Sequence, residues 1–291
     1  MSEIAYNNIL REILEQGTET PDRTGVGCYK VFNKQIVWEQ GVFPFCTSRP
    51  LSPRLAWEEM SLFIHGDPDT KKLEEKGVYF WQANTNRNFL DKQGLYHLPE
   101  GSLGTAYSIQ FRKAGQSIKG VEPIDQLYDL YQGLANDPFS RRHSIDLWGL
   151  LEQDNMPLLP CWWRSNWSVE LLPSGKKVLH VKLYSRSNDI VFGYWFAAMQ
   201  YKMLQMAMAD LLGYECGMLV TDMWDVHVYK NQVEYAKEIL SRDLGKPGTV
   251  SITKELNSFD DLISLEYSDF DVVGWEPNRQ KFVTPRPPVA A

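Results

Sequence analysis

Apolar residues recur at helical spacing in several segments of the chain. Residues 5–14 form one such segment, and Gly17 gives the predicted helix a suitable end. A second helix is predicted over 54–65, and a third over 124–134. In 195–212 apolar residues occupy nearly every face of the predicted helix. A helix that is apolar all round is typical of a protein interior, so we expect this one to be buried at the centre of the fold.

Runs of β-branched and aromatic residues indicate strands between these helices. The predicted strands lie at 29–38, 144–150, 164–172, 178–185 and 218–221. The segment WDVHVYKNQ at 224–232 is expected to open a further helix, and the polar stretch from about 82 to 108 to form a long loop. Helices followed by β-rich sequence and a buried helix predict an α+β fold. Since no repeat or linker divides the chain, we expect one domain over 1–291.

Charge and composition narrow the classes of function. The 291 residues include 30 Lys and Arg against 37 Asp and Glu, which gives a net charge of −7. Because general nucleic-acid binders rely on a cationic surface, this balance argues against a polymer partner, but it allows a local arginine cluster around a small anion. No run approaches the roughly 20 apolar residues that span a bilayer, so no membrane partner is expected. The N-terminus lacks a signal-peptide pattern, so we expect a cytoplasmic protein, or one of the host cytoplasm if its source is viral.

The cysteines argue against a disulfide framework or a metal site. The four of them lie far apart, at positions 28, 46, 161 and 216, and form no cluster with metal-ligand spacing. Cys161 follows a proline in LLPCWW, at the predicted start of a strand. It is therefore a candidate for an exposed thiolate nucleophile, which needs positive surroundings. An inert buried cysteine is the alternative.

Several polar residues could act together with Cys161. Guanidinium groups bind phosphate bidentately, and four arginines lie in loops or at strand ends: Arg23, Arg141, Arg142 and Arg186. His227 and Tyr229 are two residues apart, so on a strand they would face the same side and could hold one hydroxyl group. A buried core pair is the alternative for these two. Glu59 lies in an apolar helix where an unpartnered carboxylate is costly, and Asp189 precedes an equally apolar run.

Eight segments of the chain, taken in order, match one known family. They are DRTG at 22–25, WEEMSLFIHGD at 57–67, LGTAYSIQFR at 103–112, NDPFSRRH at 136–143, LPC at 159–161, RSND at 186–189, DVHVY at 225–229, and GWEPNRQ at 274–280 with the final PVAA. Any one of these matches is weak, but eight in the right order are specific. Together they resemble the thymidylate synthase and deoxycytidylate hydroxymethylase superfamily over essentially the whole chain. The resemblance implies a mixed sheet, a buried central helix and a homodimer formed through the sheet.

The resemblance also implies a reaction, the folate-dependent transfer of a one-carbon unit to C5 of a pyrimidine nucleoside 5′-monophosphate. Cys161 would add as a thiolate to C6 of the base. Glu59 would move protons on and off the base through water, and Tyr107 would belong to the same catalytic group. The co-substrate would be 5,10-methylenetetrahydrofolate, and no metal is expected.

Each remaining motif implies a group of ligands. The implied phosphate ligands are Arg23, Arg186, Ser187 and, across the dimer interface, Arg141 and Arg142 of the partner subunit. His227 and Tyr229 would hold the sugar hydroxyl. The implied residues of the folate site are Asp189, Trp81 and Asn84. Arginines supplied by the second subunit would make the homodimer necessary for activity.

The chain departs from the synthase pattern at several positions. The asparagine that reads the uracil edge in the synthases is Ala197 here, and an alanine methyl can neither donate nor accept a hydrogen bond. The second tryptophan of the family's WxxW pair is Asn84, the histidine after the nucleophile is Trp162, and the glutamine before Arg186 is Ser185. A more polar wall at Asn84 favours capture of water, which gives a hydroxymethyl product, over hydride transfer, which gives a methyl product.

These departures, with RSNDIVFG at 186–193 close to the hydroxymethylase pattern, favour hydroxymethylation of a cytidylate, dCMP or CMP. The alternative is a thymidylate synthase that methylates dUMP to dTMP and releases dihydrofolate, and the final PVAA supports it. A Cys–His hydrolase, with Cys161 served by His180 or His227, is less favoured because the arginines have no part in it. A non-catalytic binding protein that kept the fold is a third possibility, and the presence of Cys161, Glu59 and Arg186 together argues against it.

Overall fold

The computed structural model describes residues 2–288, so residues 289–291 of the predicted closing segment PVAA lie outside the described residues. The helices are α1 (Ser2–Gln16), α2 (Pro53–Ile64), α3 (Lys71–Glu75), α4 (Gln82–Thr85), α5 (Arg87–Lys92), α6 (Ser108–Arg112), α7 (Gln126–Asn136), α8 (Tyr194–Leu211), α9 (Val233–Ser241) and α10 (Phe259–Ile263). The strands are β1 (Thr18–Thr20), β2 (Cys28–Trp38), β3 (Ser144–Asp146), β4 (Trp162–Leu171), β5 (Lys177–Asp189), β6 (Glu215–Tyr229), β7 (Thr249–Ile252) and β8 (Phe270–Val273). Short 3-10 turns lie at Gln153–Asn155, Lys230–Gln232 and Tyr267–Asp269.

A six-stranded mixed sheet, in the order β1-β2-β6-β5-β4-β3, forms the frame of the molecule. β5 and β6 are parallel, and the other neighbours in this sheet pair antiparallel. A parallel pair needs a crossover connection, and α8 provides it. The remaining strands, β7 and β8, form a separate antiparallel pair. The predicted α+β fold with a mixed sheet is therefore confirmed.

The central helix α8 lies between the sheet and α2. Fourteen of its 18 residues are buried, which confirms the buried helix predicted over 195–212. Gly213, with φ of +66°, follows α8, in the left-handed region that favours glycine. Because α8 packs on both sides, a buried polar side chain on it is expected to find its partner within the protein.

Two local predictions were wrong. The segment 224–232 does not open a helix; β6 continues to Tyr229 and pairs with β2 on one side and β5 on the other, so strand pairing outweighs the local pattern. The stretch 82–108 contains α4 and α5 rather than loop alone. Helices of four and six residues are too short to show a helical period in the sequence.

The other face of the sheet carries exposed aromatic side chains. Side chains alternate across a strand, so Leu183 and Met223 face the core while Tyr184 and Trp224 face away from it. Trp224 is 62% exposed and packs against Phe32 with ring centroids 5.7 Å apart. The same face has a shallow apolar groove lined by Trp148, Trp163, Tyr184, Ser185, Arg186, Asp222 and Trp224. Among residues 2–288, no helix is long and apolar enough to cross a bilayer.

Candidate active site

Cys161 lies at the end of the loop that leads into β4, and its backbone is fixed on both sides. Its N–H donates to the Tyr107 hydroxyl at 2.9 Å, and its carbonyl accepts from the backbone N–H of Arg186 at 3.0 Å. The Arg186 guanidinium donates to the carbonyls of Pro160 at 3.0 Å and Leu159 at 2.8 Å. One arginine on β5 therefore clamps the loop that presents the thiol.

The surroundings of the Cys161 thiol act on its pKa in opposite directions. Burial raises the pKa above its ordinary value, while the charges of Arg186 and Arg23 lower it and Asp189 raises it. The arginines supply the positive field that a thiolate needs. Within the described residues no histidine is hydrogen-bonded to this thiol: His180 bonds to Glu170 and His227 to Asp225. The Cys–His pair of a hydrolase is not formed.

Tyr107 connects Cys161 to an aromatic wall. Its backbone has φ of +35°, which is rare for a residue with a side chain and is typical of a strained functional position. Its ring stacks on Phe63 with centroids 4.9 Å apart and meets Trp81 edge-on at 5.4 Å. Burial raises the pKa of Tyr107 well above its ordinary value, so the hydroxyl stays protonated.

Glu59 lies in the middle of α2 and is only 8% exposed. One carboxylate oxygen accepts from the Trp81 indole Nε1 at 2.6 Å, and the other accepts from the Gln200 amide. Burial raises the pKa of Glu59 to about 7, although both hydrogen bonds lower it. A carboxyl group with such a pKa can both take up and release protons near neutral pH.

The ends of β5 and β6 bring Asp189 beside His227, since the two are register partners in the parallel pair. One oxygen of Asp189 accepts from the backbone N–H groups of Val191 and Phe192, which fixes the turn into α8. The other oxygen accepts from the side chain of Gln232 at 2.9 Å. Asp189 is therefore held rigidly by the fold.

A short chain of polar contacts through Asp225 and Lys30 orients His227. Its Nδ1 lies 2.9 Å from one oxygen of Asp225, whose other oxygen accepts from Lys30 at 2.8 Å. Burial raises the pKa of Asp225, but these two partners lower it below the ordinary value, so Asp225 is anionic. This pairing leaves Nε2 of His227 for a ligand. The ring of Tyr229 lies edge-on, 5.0 Å away.

Some of the predicted phosphate ligands lie near Cys161, and the others lie at the edge of the sheet. Arg23 is exposed in the turn at 22–27, and its charge lowers the pKa of Cys161 and of Tyr229 against the effect of burial. Ser187 is half-buried on β5, next to Arg186. Arg141 and Arg142, by contrast, are exposed just before the edge strand β3, and neither makes a hydrogen bond or ion pair within residues 2–288.

The structure also places the residues that depart from the synthase pattern. Ala197 is in the first turn of α8 and is 6% exposed. Asn84 is 7% exposed, and among the described residues its Nδ2 is a buried donor with no hydrogen-bond partner. Ser185 donates to the carbonyl of Ser187, and Trp162 is buried.

Sequence reasoning missed three residues of this site: Gln200, Asp225 and Gln232. Gln200 is a glutamine in a helix that is apolar on nearly every face, which is a signal for a buried polar contact, although not for the partner. Asp225 lies two residues before His227, at the spacing that puts both on one side of a strand. Within the described chain, no group of three or more acidic, His or Cys side chains could hold a metal ion.

Comparison with known proteins gives one consistent result. The thymidylate synthase family profile matches residues 4–284. The thymidylate synthase of Ascaris suum is 34% identical over 265 residues, which cover 88% of each chain. That of equine herpesvirus 2 is 34% identical over 280 residues and covers 94% of each chain, and that of Candida albicans is 30% identical over 298 residues and covers 95% of each.

Proposed function

Because the chain belongs to the thymidylate synthase family, we propose that it transfers a one-carbon unit to C5 of a pyrimidine nucleoside monophosphate, with dUMP as substrate and dTMP as product. The observation that carries the proposal is the clamping of Cys161 between Tyr107 and Arg186, with Glu59 on the same aromatic wall. The names of the relatives support methylation over the hydroxymethylation that the departures favour.

Cys161 begins the reaction. Its thiolate adds to C6 of the base, and the electron pair of the C5–C6 bond moves to C5, which becomes nucleophilic. Arg186 and Arg23 stabilise the thiolate before it attacks. C5 then bonds to the one-carbon unit and loses its proton, and the folate nitrogen leaves, which forms an exocyclic methylene on C5. Addition of a hydride to that methylene restores the C5–C6 double bond and expels the thiolate from C6.

Glu59 serves the proton transfers on the base. Its carboxyl group, poised near neutral pH, accepts and returns protons through ordered water. Methylenetetrahydrofolate supplies the one-carbon unit and, for methylation, the hydride that reduces it. The site suits a folate for two reasons. Oδ2 of Asp189 accepts a single hydrogen bond, from Gln232, so it can accept another from a pteridine N–H, and the buried Nδ2 of Asn84 has no acceptor among the described residues.

The proposed assembly is a homodimer of single-domain subunits joined through the aromatic face of the sheet. Arg141 and Arg142 are exposed in one subunit, and across this interface they would reach the phosphate beside Arg186 of the other. His227, through Nε2, and Tyr229 hold the sugar hydroxyl.

Mixing two inactive variants tests the shared site. Arg142→Glu and Cys161→Ala are each expected to be inactive as homodimers. If Arg142 acts across the interface, mixed dimers have one intact site, and refolding equal amounts together restores about a quarter of the native rate. No recovery from mixed dimers, verified by native mass spectrometry, would place Arg142 in the site of its own subunit. An active Arg142→Glu homodimer would place it outside any site.

A second function, hydroxymethylation of dCMP or CMP, rests on Ala197 and Asn84. Ala197 lacks the amide that reads uracil. Nδ2 of Asn84, which has no hydrogen-bond partner among residues 2–288, is a polar group where the synthases have a tryptophan. A water molecule held there would attack the exocyclic methylene and leave tetrahydrofolate unoxidised.

One incubation distinguishes the two functions. The enzyme is given methylenetetrahydrofolate with dUMP, dCMP, UMP or CMP, and products are identified by mass spectrometry while absorbance near 340 nm follows dihydrofolate. The proposal predicts methyl product and dihydrofolate with dUMP. Hydroxymethyl product from a cytidylate without dihydrofolate would establish the second function instead.

A further inference from the structure

A side-chain hydrogen bond from Gln200 joins the central helix to Glu59. Gln200 lies on α8 three residues after Ala197, so the two are neighbours on one face of the helix. Gln200 is 6% exposed, and its Nε2 donates to Oε2 of Glu59. The buried Gln200 amide therefore links α8, where Ala197 replaces the asparagine that reads uracil, to the Glu59 carboxylate.

Both hydrogen-bond partners of the Glu59 carboxylate are uncharged donors. Trp81 holds Oε1 and Gln200 holds Oε2, so both fix the orientation of the carboxylate and favour its ionised form over the acid. A protonated Glu59 would lose one of these two hydrogen bonds. The two donors therefore oppose the effect of burial.

The charged groups of the elements that pack near α2 have partners other than Glu59. Tyr107, at the start of α6, is the titratable group coupled to it. The others have partners elsewhere: Lys76 with Glu58, Arg112 with Asp125, Lys202 with the carbonyl of Gly217, and Asp269 with the backbone N–H of Glu266. The balance between ionised and protonated Glu59 consequently depends on burial and on its two neutral donors, Trp81 and Gln200.

We propose that Gln200 is a positioning residue for Glu59, and that its amide keeps the carboxylate oriented and ionised for proton transfer to and from the base. This inference rests on the proposed function for its catalytic consequence, but the contact itself can be tested without turnover. Gln200 acts through Glu59, so its loss changes the proton-transfer step and leaves nucleotide binding intact.

Gln200→Met tests the proposal, because methionine has a similar volume and no donor. With one donor lost, the pKa of Glu59 rises by about one unit. The pH at which kcat reaches half its plateau moves up equally, so kcat at pH 7 falls several-fold and recovers at pH 9, while KM for the nucleotide is unchanged. Gln205→Met is the matched control, since Gln205 is also buried on α8 but donates to the carbonyls of Leu179 and Met218.

The ionisation of Glu59 is measured directly by ¹³C NMR of the δ-carboxyl groups, assigned with Glu59→Gln, in the free enzyme. A raised pKa in Gln200→Met but not in Gln205→Met supports the proposal, whether or not any nucleotide is turned over. An unchanged pKa of Glu59 in a folded Gln200→Met protein overturns it. Failure of the proposed function would show separately, as an absence of product in the native enzyme with the carboxyl pKa shift still present.

Discussion

The two sides of the site differ in how they are built. On the strand side, Cys161 is held by Arg186 and lies in the field of two arginines. LPC and RSND match the family pattern there, although Trp162 and Ser185 beside them depart from it. On the helix side, Glu59 is held by the neutral donors Trp81 and Gln200. The departures that bear on substrate and product, Ala197 and Asn84, belong to this second side. We therefore expect the covalent adduct to form as in the family, and the choice of base and product to depend on residues of α8 and α4.

Removal of the proposed nucleophile on the strand side has the largest expected effect, a loss of turnover. Cys161→Ser should lower turnover more than about a thousandfold, because an alcohol is a far poorer nucleophile at neutral pH. Isothermal calorimetry should still detect nucleotide binding, since the arginines remain. Cys216→Ser, at a half-buried cysteine on β6, is the control and should keep its activity. Nucleotide-dependent turnover unchanged in Cys161→Ser would refute the covalent mechanism.

Loss of the Glu59 carboxylate on the helix side has the next largest expected effect. Glu59→Gln should lower kcat about a hundredfold or more, within the range for proton-transfer groups. The native enzyme should gain activity as the pH rises through about 7, because burial raises the pKa of Glu59 to about 7 and its carboxylate predominates only above that pH. Rates measured from pH 5.5 to 9 should lose this limb in Glu59→Gln. A limb that persists in the variant would belong to another group.

An asparagine introduced at position 197 on α8 tests whether this position selects the base of the nucleotide. Ala197→Asn should raise kcat/KM for dUMP about tenfold relative to a cytidylate, because the amide adds a hydrogen bond to the uracil edge. Competition between dUMP and dCMP in one reaction measures the ratio directly. If dUMP gains nothing in the folded variant, Ala197 does not face the base.

The smallest expected effect concerns the wall near Trp81. Asn84→Trp removes a buried unpartnered donor and should raise the ratio of methyl to hydroxymethyl product a few-fold. Mass spectrometry of the products, with the native enzyme beside it, gives the ratio. The same ratio in both proteins would remove Asn84 from the control of product.

The sequence predicted the features that depend on the order of motifs and on the spacing of apolar residues. It did not predict those that depend on contacts between distant segments. Eight motifs in order indicated the family, and the apolar pattern predicted α8 to within one residue at each end. The partner of Gln200 could not be predicted, because it lies on α2, 141 positions away in the chain. The continuation of β6 through His227 depends on pairing with β2 and β5, which no local pattern contains.

The central claim is that C5 of a pyrimidine nucleotide is the reacting atom and Cys161 the group that activates it. Release of tritium from [5-³H]dUMP or [5-³H]dCMP into water measures this step for methylation and hydroxymethylation alike, since both replace the hydrogen on C5. With methylenetetrahydrofolate, the native enzyme should release tritium from at least one nucleotide, with dUMP the better substrate, and Cys161→Ser from neither. No release from either nucleotide by the folded native enzyme would contradict the account.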